Sequence, residues 1–177
     1  MESSIANGIV LHLHLQKQDR KVSSPDEEAD ICNILKYCSD NIIASGGFIS
    51  EIANNAVIGV FEDNDELISA EMKAASCACM VRDVVYEYRN NGKMYVMTAS
   101  INSGSVIVGS SIGENCHEVM GNGITASFQL INTTQPMQIS LTRRIKDKIC
   151  DRFNLVDRLP ILFGQKKALI FYLHTPL

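Results

Sequence analysis

Residues 9–15, IVLHLHL, alternate strictly, with Ile9, Leu11, Leu13 and Leu15 on one face and Val10, His12 and His14 on the other. A period of two over seven residues specifies a β-strand, so whatever else the chain forms must pack around a strand that places two imidazoles on one side. The stretch after it, Ser23-Ser24-Pro25-Asp26, has the small polar residues and proline of a helix start. Residues 26–45 then carry Ala29, Ile31, Ile34, Leu35, Cys38, Ile42 and Ile43 at helical spacing, and Gly46-Gly47 supplies the end. Two short apolar runs, Phe48–Ala53 and Ala56–Phe61, are separated only by Asn54-Asn55, residues that tolerate positive φ and so predict a tight hairpin.

The longest periodic segment, 65–89, repeats Leu67, Met72, Ala75, Cys79, Val81, Val85 and Tyr88 before Asn90-Asn91-Gly92 stops it. Its Met, Ala and Cys content predicts close packing on a sheet. Residues 94–101 and 105–109 read as a second strand pair turning at Asn102-Ser103-Gly104, followed by a loop at 110–117 and a helix from about Asn122 to Asn132, closed by Pro136. Strands at 137–140 and 168–173 flank a charged helical segment, 142–152, and the apolar stretch Leu159–Phe163. The expected order is β, α, ββ, α, ββ, α, β, α, β(β). Hairpins between helices imply an α+β fold, with a ferredoxin-like βαββαβ core extended by additional strands and helices. A length of 177 residues without an evident linker points to a single domain spanning 1–177.

Composition narrows the function classes. The chain is 46 % apolar with a net charge of −4, too apolar and too weakly charged for disorder. Its lysines and arginines are scattered apart from Arg143-Arg144 and Lys166-Lys167, so no nucleic-acid surface is expected. No apolar run approaches the roughly 20 residues that span a bilayer, and MESSIANG lacks the features of a signal peptide, so a cytoplasmic location is expected, alone or as the cytoplasmic domain of a larger protein. The six cysteines (Cys32, Cys38, Cys77, Cys79, Cys116, Cys150) form no CxxC, and a C-x-C on a helix sets its thiols about 200° apart. They are expected to be buried small hydrophobes in a reducing compartment.

Several runs carry a resemblance. Gly46–Phe61, GGFISEIANNAVIGVF, resembles the class III nucleotide cyclase pattern GG-x-I-x-[KE]-x-x-G-D-x-x-x-A-x-F. INSGSVIVG at 101–109, followed by Ile112-Gly113, is similar to that family's I-H-x-G-x-V-x-x-G…I-G, and VMGNGITAS at 119–127 to its I-x-G-x-x-V-N-x-A. Phe163-Gly164 and Phe171-Tyr172-Leu173 stand where the family has K-G and Y-x-L. The order covers nearly the whole chain. The resemblance to class III adenylate/guanylate cyclase catalytic domains implies a homodimer or heterodimer whose interfacial active sites convert a nucleoside triphosphate to a cyclic 3′,5′-monophosphate and pyrophosphate. Two aspartates would hold two divalent ions, one residue pair would read the base, and an Asn/Arg pair with a lysine would stabilise the transition state.

At those positions the residues differ. The metal positions implied by the resemblance carry His14 and Asn55; the Asn, Arg and Lys positions carry Thr125, Gln129 and Phe163. Magnesium prefers carboxylate oxygens, whereas imidazole suits softer metals. Loss of a preorganised donor typically costs about 10²–10³ in rate, and these losses act together. Glu51 stands at the base-reading position, where guanylate cyclases have glutamate, and its partner position falls on Glu118 or on Cys116; the plain alternative for Glu51 is a solvated strand charge. His12 and His14 form an H-x-H pair whose third metal ligand would have to be His117, Glu51 or Glu118, with no spacing in support. The expectation is therefore a catalytically silent cyclase-homology domain, a pseudoenzyme with no catalytic residues and no bound metal, acting as a dimerisation or regulatory module in cyclic-nucleotide-type signalling. Its partner would be a second copy or another cyclase-type domain. Two alternatives stay open: a divergent, guanylate-leaning cyclase using Mg²⁺ or Mn²⁺, and a non-catalytic sensor that binds a nucleotide.

Overall fold

A computed structural model of the chain describes residues 4–18, 24–53, 55–62, 67–113, 115–157, 161–163 and 166–176, with the side chains at 4–6, 111–112, 161–163, 166–168 and 175–176 left aside. The central strand β1 (Ser4–Lys17) pairs antiparallel with both β3 (Ala56–Glu62) and β4 (Tyr95–Gly113). Beyond β3 lies β2 (Phe48–Ala53), which meets β5 (Cys116–Met120) in parallel at Ile49 and Cys116; β5 in turn pairs antiparallel with the end of β4. These pairings close a circuit of five strands. On the other side of β4, β6 (Ile139–Thr142) runs parallel to it, and β10 (Ile170–Pro176) and β7 (Phe153–Asp157) complete an eight-stranded sheet. A separate two-stranded ribbon joins β8 (Ile161–Phe163) to β9 (Lys166–Ala168).

Helix α1 (Pro25–Ala44) starts where its sequence requires. Ser24 Oγ accepts from the Glu27 amide at 3.3 Å while Glu27 Oε2 accepts from the Ser24 amide at 2.8 Å, a reciprocal capping box with proline in the first turn. It ends at Ser45, and Gly46 takes a φ of 81°, a conformation that favours glycine. Helix α2 (Ala70–Asn90) begins after Ser69, whose hydroxyl accepts from the Met72 amide. It therefore starts later than the expected residue 65, and Leu67 lies outside it, fully exposed. Ala74, Ala75 and Ala78 are completely buried, as expected for a helix packed close to a sheet. Helices α1, α2 and α4 (Arg143–Ile149) cover one face of the sheet, where Ile9, Leu11, Leu13 and Leu15 join the main core. Helix α3 (Asn122–Ile131) covers the other, over a smaller cluster of Val10, Ile58, Val60 and Val106. The two faces read from the alternation at 9–15 are thus the two faces of a three-layer α+β fold.

Several expectations are corrected. Asn102-Ser103-Gly104 is no turn: it lies inside the 19-residue strand β4, paired with Val10, Ile9 and Gly8 of β1. The small polar residues are there for α3. Asn102 Nδ2 donates to the Gly123 carbonyl at 2.9 Å, and a Cβ on Gly104 would stand 2.6 Å from Gly123 Cα, so glycine lets the helix approach the strand. The expected loop at 110–117 is the end of β4 and the start of β5, joined through Asn115 at a φ of 57°. The strand expected at 137–140 begins at Ile139 because Met137 takes a φ of 64°. The charged helix shortens to Arg143–Ile149, the last strand shifts to Ile170–Pro176, and β7 forms where no strand was expected. The cysteines divide: Cys38, Cys77 and Cys79 are buried, Cys116 is half-buried, and Cys32 and Cys150 are exposed on helix α1 and at the end of α4. No described helix is long and apolar enough to cross a membrane.

Candidate functional site

The end of β1, the β2–β3 hairpin and the C-terminal half of α3 enclose a groove of about 200 Å³. His12 and His14 form its floor from β1, Glu51 and Ala56 its side from β2 and β3, and Phe128 and Ile131 its cover from α3. The hairpin turns at Asn55, whose φ of 63° fits the expected tight turn; residue 54 lies outside the described residues. The Leu15 amide donates to the Asn55 carbonyl at 2.8 Å, which ties the hairpin tip to β1 beside His14. The two positions that the resemblance assigns to metal therefore come together, although the groove wall is made by Ala53 and Ala56 rather than by Asn55.

The floor of the groove offers imidazole nitrogens, and Glu51 is the one carboxylate on its wall among the described residues. His12 is 3 % exposed; its Nδ1 stands 3.3 Å from Ser127 Oγ and its ring meets that of Phe128 edge-on with centroids 4.7 Å apart. Burial, with a smaller contribution from the charge of His14, lowers its pKa to about 4. The Gln16 side-chain amide stands 3.0 Å from His14 Nδ1, so that nitrogen is already engaged in a hydrogen bond. A pair of hard divalent cations beside a triphosphate calls for carboxylate oxygens. Two imidazoles and a carboxamide, with Glu51 as a single carboxylate on the wall, do not match that requirement. Among the described residues no three His, Cys, Asp or Glu side chains are grouped closely enough to hold a metal ion, and His117 packs its ring against Phe48, centroids 5.2 Å apart.

Glu51 follows a bulge in β2 and faces both this groove and a shallower cleft of about 480 Å³ formed with Ser50, Glu118, Val119 and Met120. Of its two candidate partners, Glu118 shares that cleft, whereas Cys116 packs against the main core. Thr125 and Gln129 are both exposed on α3 and outside the groove; Thr125 Oγ1 donates to the Gly121 carbonyl at 3.3 Å. Phe163 ends β8, and its side chain lies outside the described residues. Sequence reasoning missed the cover of the groove. Phe128, Ile131 and the His12–Ser127 contact depend on how α3 lies across β1 and β4, which no local pattern specifies.

No protein-family model matches the chain, and no curated protein matches its sequence. Solved structures match over its whole length. The adenylyl cyclase CyaB of P. aeruginosa superposes with a TM-score of 0.83 at 16 % identity, over 98 % of this chain and 96 % of that one. The non-canonical dimeric guanylyl cyclase domain of the RhoGC fusion protein from the aquatic fungus Blastocladiella emersonii gives 0.82 at 14 % identity, with both chains covered completely. The guanylate cyclase domain of RhGC from Catenaria anguillulae, in complex with GTP, gives 0.79 at 12 % identity over 98 % of this chain and 100 % of that one. At such identities the likeness establishes the fold: this chain has the fold of adenylyl and guanylyl cyclase catalytic domains.

Proposed function

We propose that this chain is a catalytically silent cyclase-fold domain, kept as a dimerisation and regulatory module in cyclic-nucleotide-type signalling in the cytoplasm. The observation that carries the reading is the groove at the end of β1. Its floor is a pair of imidazoles, of which His12 is kept neutral by burial, and its cover is the apolar pair Phe128 and Ile131. With His14 and Asn55 in place of a carboxylate pair, there is no two-ion clamp to activate a hydroxyl or to neutralise a departing pyrophosphate. Thr125 puts no amide at the Asn position and Gln129 no cation at the Arg position that the resemblance implies for the transition state. We read β1–α1–β2–β3–α2–β4, with β1 between β3 and β4, as the ferredoxin-like core of a single domain over 1–177.

Support for a dimer comes from the same side of the molecule. Met120 is 67 % exposed and Phe128 43 % exposed, one in each of the two clefts that meet at Glu51. Apolar side chains gathered beside a polar rim are what a second cyclase-type domain, identical or not, would cover. The deciding experiment incubates the chain, alone and with a cyclase-type partner, with ATP or GTP and Mg²⁺ or Mn²⁺, and measures cyclic nucleotide. The expected result is no product above the protein-free control. Formation of cyclic nucleotide that is abolished by substituting Asn55 or Thr125 would overturn the proposal.

A further inference from the structure

A second cleft, of about 490 Å³, opens between the second half of α2, the segment before β6, and the β10–β7 end of the sheet. Three independent features meet there. The first is Arg82, 6 % exposed, whose guanidinium donates to the Leu173 carbonyl at 2.9 Å and to Cys79 Sγ at 3.6 Å. Among the described residues no carboxylate stands within 4.0 Å of it. A buried guanidinium normally has an anionic partner, and its planar fork matches a carboxylate. The second is Gln138 Oε1, a buried acceptor that receives no hydrogen bond. The third is Met137, held at a φ of 64° that costs a side-chain-bearing residue free energy and that recurs at ligand sites.

Charge and wall composition specify the ligand further. Asp83, on the helix residue after Arg82, brings an exposed carboxylate to the same cleft, while Tyr86, Met137 and Val156 supply apolar wall. The cleft thus presents a cation, an anion and an apolar surface, with an unpaired acceptor just beneath its wall, within a volume typical of small-molecule sites. We propose that it binds a free amino acid with an apolar side chain, its carboxylate on Arg82 and its ammonium on Asp83, with the Gln138 amide turning out of the wall to accept from it. The tyrosine, methionine and valine side chains receive the apolar group. None of these residues lines the groove at the end of β1, so this site and the silent-domain reading stand or fall separately.

Titration calorimetry on the full chain tests it with three matched probes: L-phenylalanine, 3-phenylpropionate and 2-phenylethylamine. Saturable binding of L-phenylalanine at least about tenfold tighter than of either singly charged analogue is expected. Asp83→Asn should weaken L-phenylalanine about tenfold and leave 3-phenylpropionate unchanged; Gln138→Leu should weaken the amino acid but not the acid. Arg82 also holds the Leu173 carbonyl, so its replacement tests the fold as well, and the Asp83 and Gln138 variants carry the decision. Absence of saturable binding up to about 10 mM L-phenylalanine, equal binding of all three probes, or affinity unchanged in Asp83→Asn would overturn the proposal.

Discussion

His12 converts acid into instability. Its pKa falls from 6.5 in an unfolded chain to about 4 in the folded one, first because the ring is buried and then because His14 is close. The folded state therefore favours the neutral ring. Its contribution is fully present above pH 6.5 and is lost as pH falls through the folded value near 4. A shift of that size corresponds to about 3 kcal/mol when the loss is complete, of which about 2 kcal/mol disappears between pH 7 and pH 5. The consequence is local as well as global, because Ser127 and Phe128 both rest on this ring and both belong to the helix that covers the groove. Urea unfolding at pH 7 and pH 5, on the parent chain and on His12→Asn, isolates the effect: asparagine can keep a donor towards Ser127 and does not titrate. Other ionisable groups cancel in the comparison. The parent should lose about 2 kcal/mol more than the variant over that interval. Equal losses in the two proteins would refute the reasoning, as would an NMR titration that places the His12 midpoint near its ordinary value.

Three further outcomes are expected. Gly104→Ala should destabilise by about 1–3 kcal/mol in urea unfolding, since the new methyl would lie 2.6 Å from Gly123 Cα; a neutral result would mean that α3 is not seated on β4 as described. Met120→Asp should weaken self-association at least about tenfold in sedimentation velocity, with an unchanged melting temperature, and a parent chain that is monomeric at about 100 µM counts against a homodimer. Iodoacetamide at mildly alkaline pH should label the exposed Cys32 and Cys150 in the native protein and reach Cys38 and Cys79 only in denaturant, because burial pushes the Cys79 thiol up to about 11 and the Cys38 thiol higher still. Native labelling of Cys38 as fast as Cys32 would contradict the packing of α1 on α2.

What the sequence made legible, and what it did not, follows from the reach of each interaction. The 9–15 stretch of β1, the start of α1 and the turn at Asn55 were readable because alternation, small polar residues before a proline, and tolerance of positive φ are properties of neighbouring residues. Asn102-Ser103-Gly104 misled for a physical reason: residues chosen to admit a helix over a strand have the same composition as residues chosen for a turn. The signal that separates the two is β1 itself, long enough at 14 residues to demand an unbroken partner along Tyr95–Val108. The candidate site divides the same way. That His14 and Asn55 lack negative charge is a statement about residue identity, and the sequence carries it. That the space between them is covered by Phe128, with His12 held neutral beneath, depends on tertiary packing 115 residues apart in the chain. Replacing His14 and Asn55 by aspartate would therefore restore the charge and leave the cover in place. A groove of about 200 Å³ under an aromatic ring is small beside the roughly 300–1,000 Å³ typical of small-molecule sites, so two carboxylates alone should not bring back cyclase chemistry unless Phe128 also moves aside.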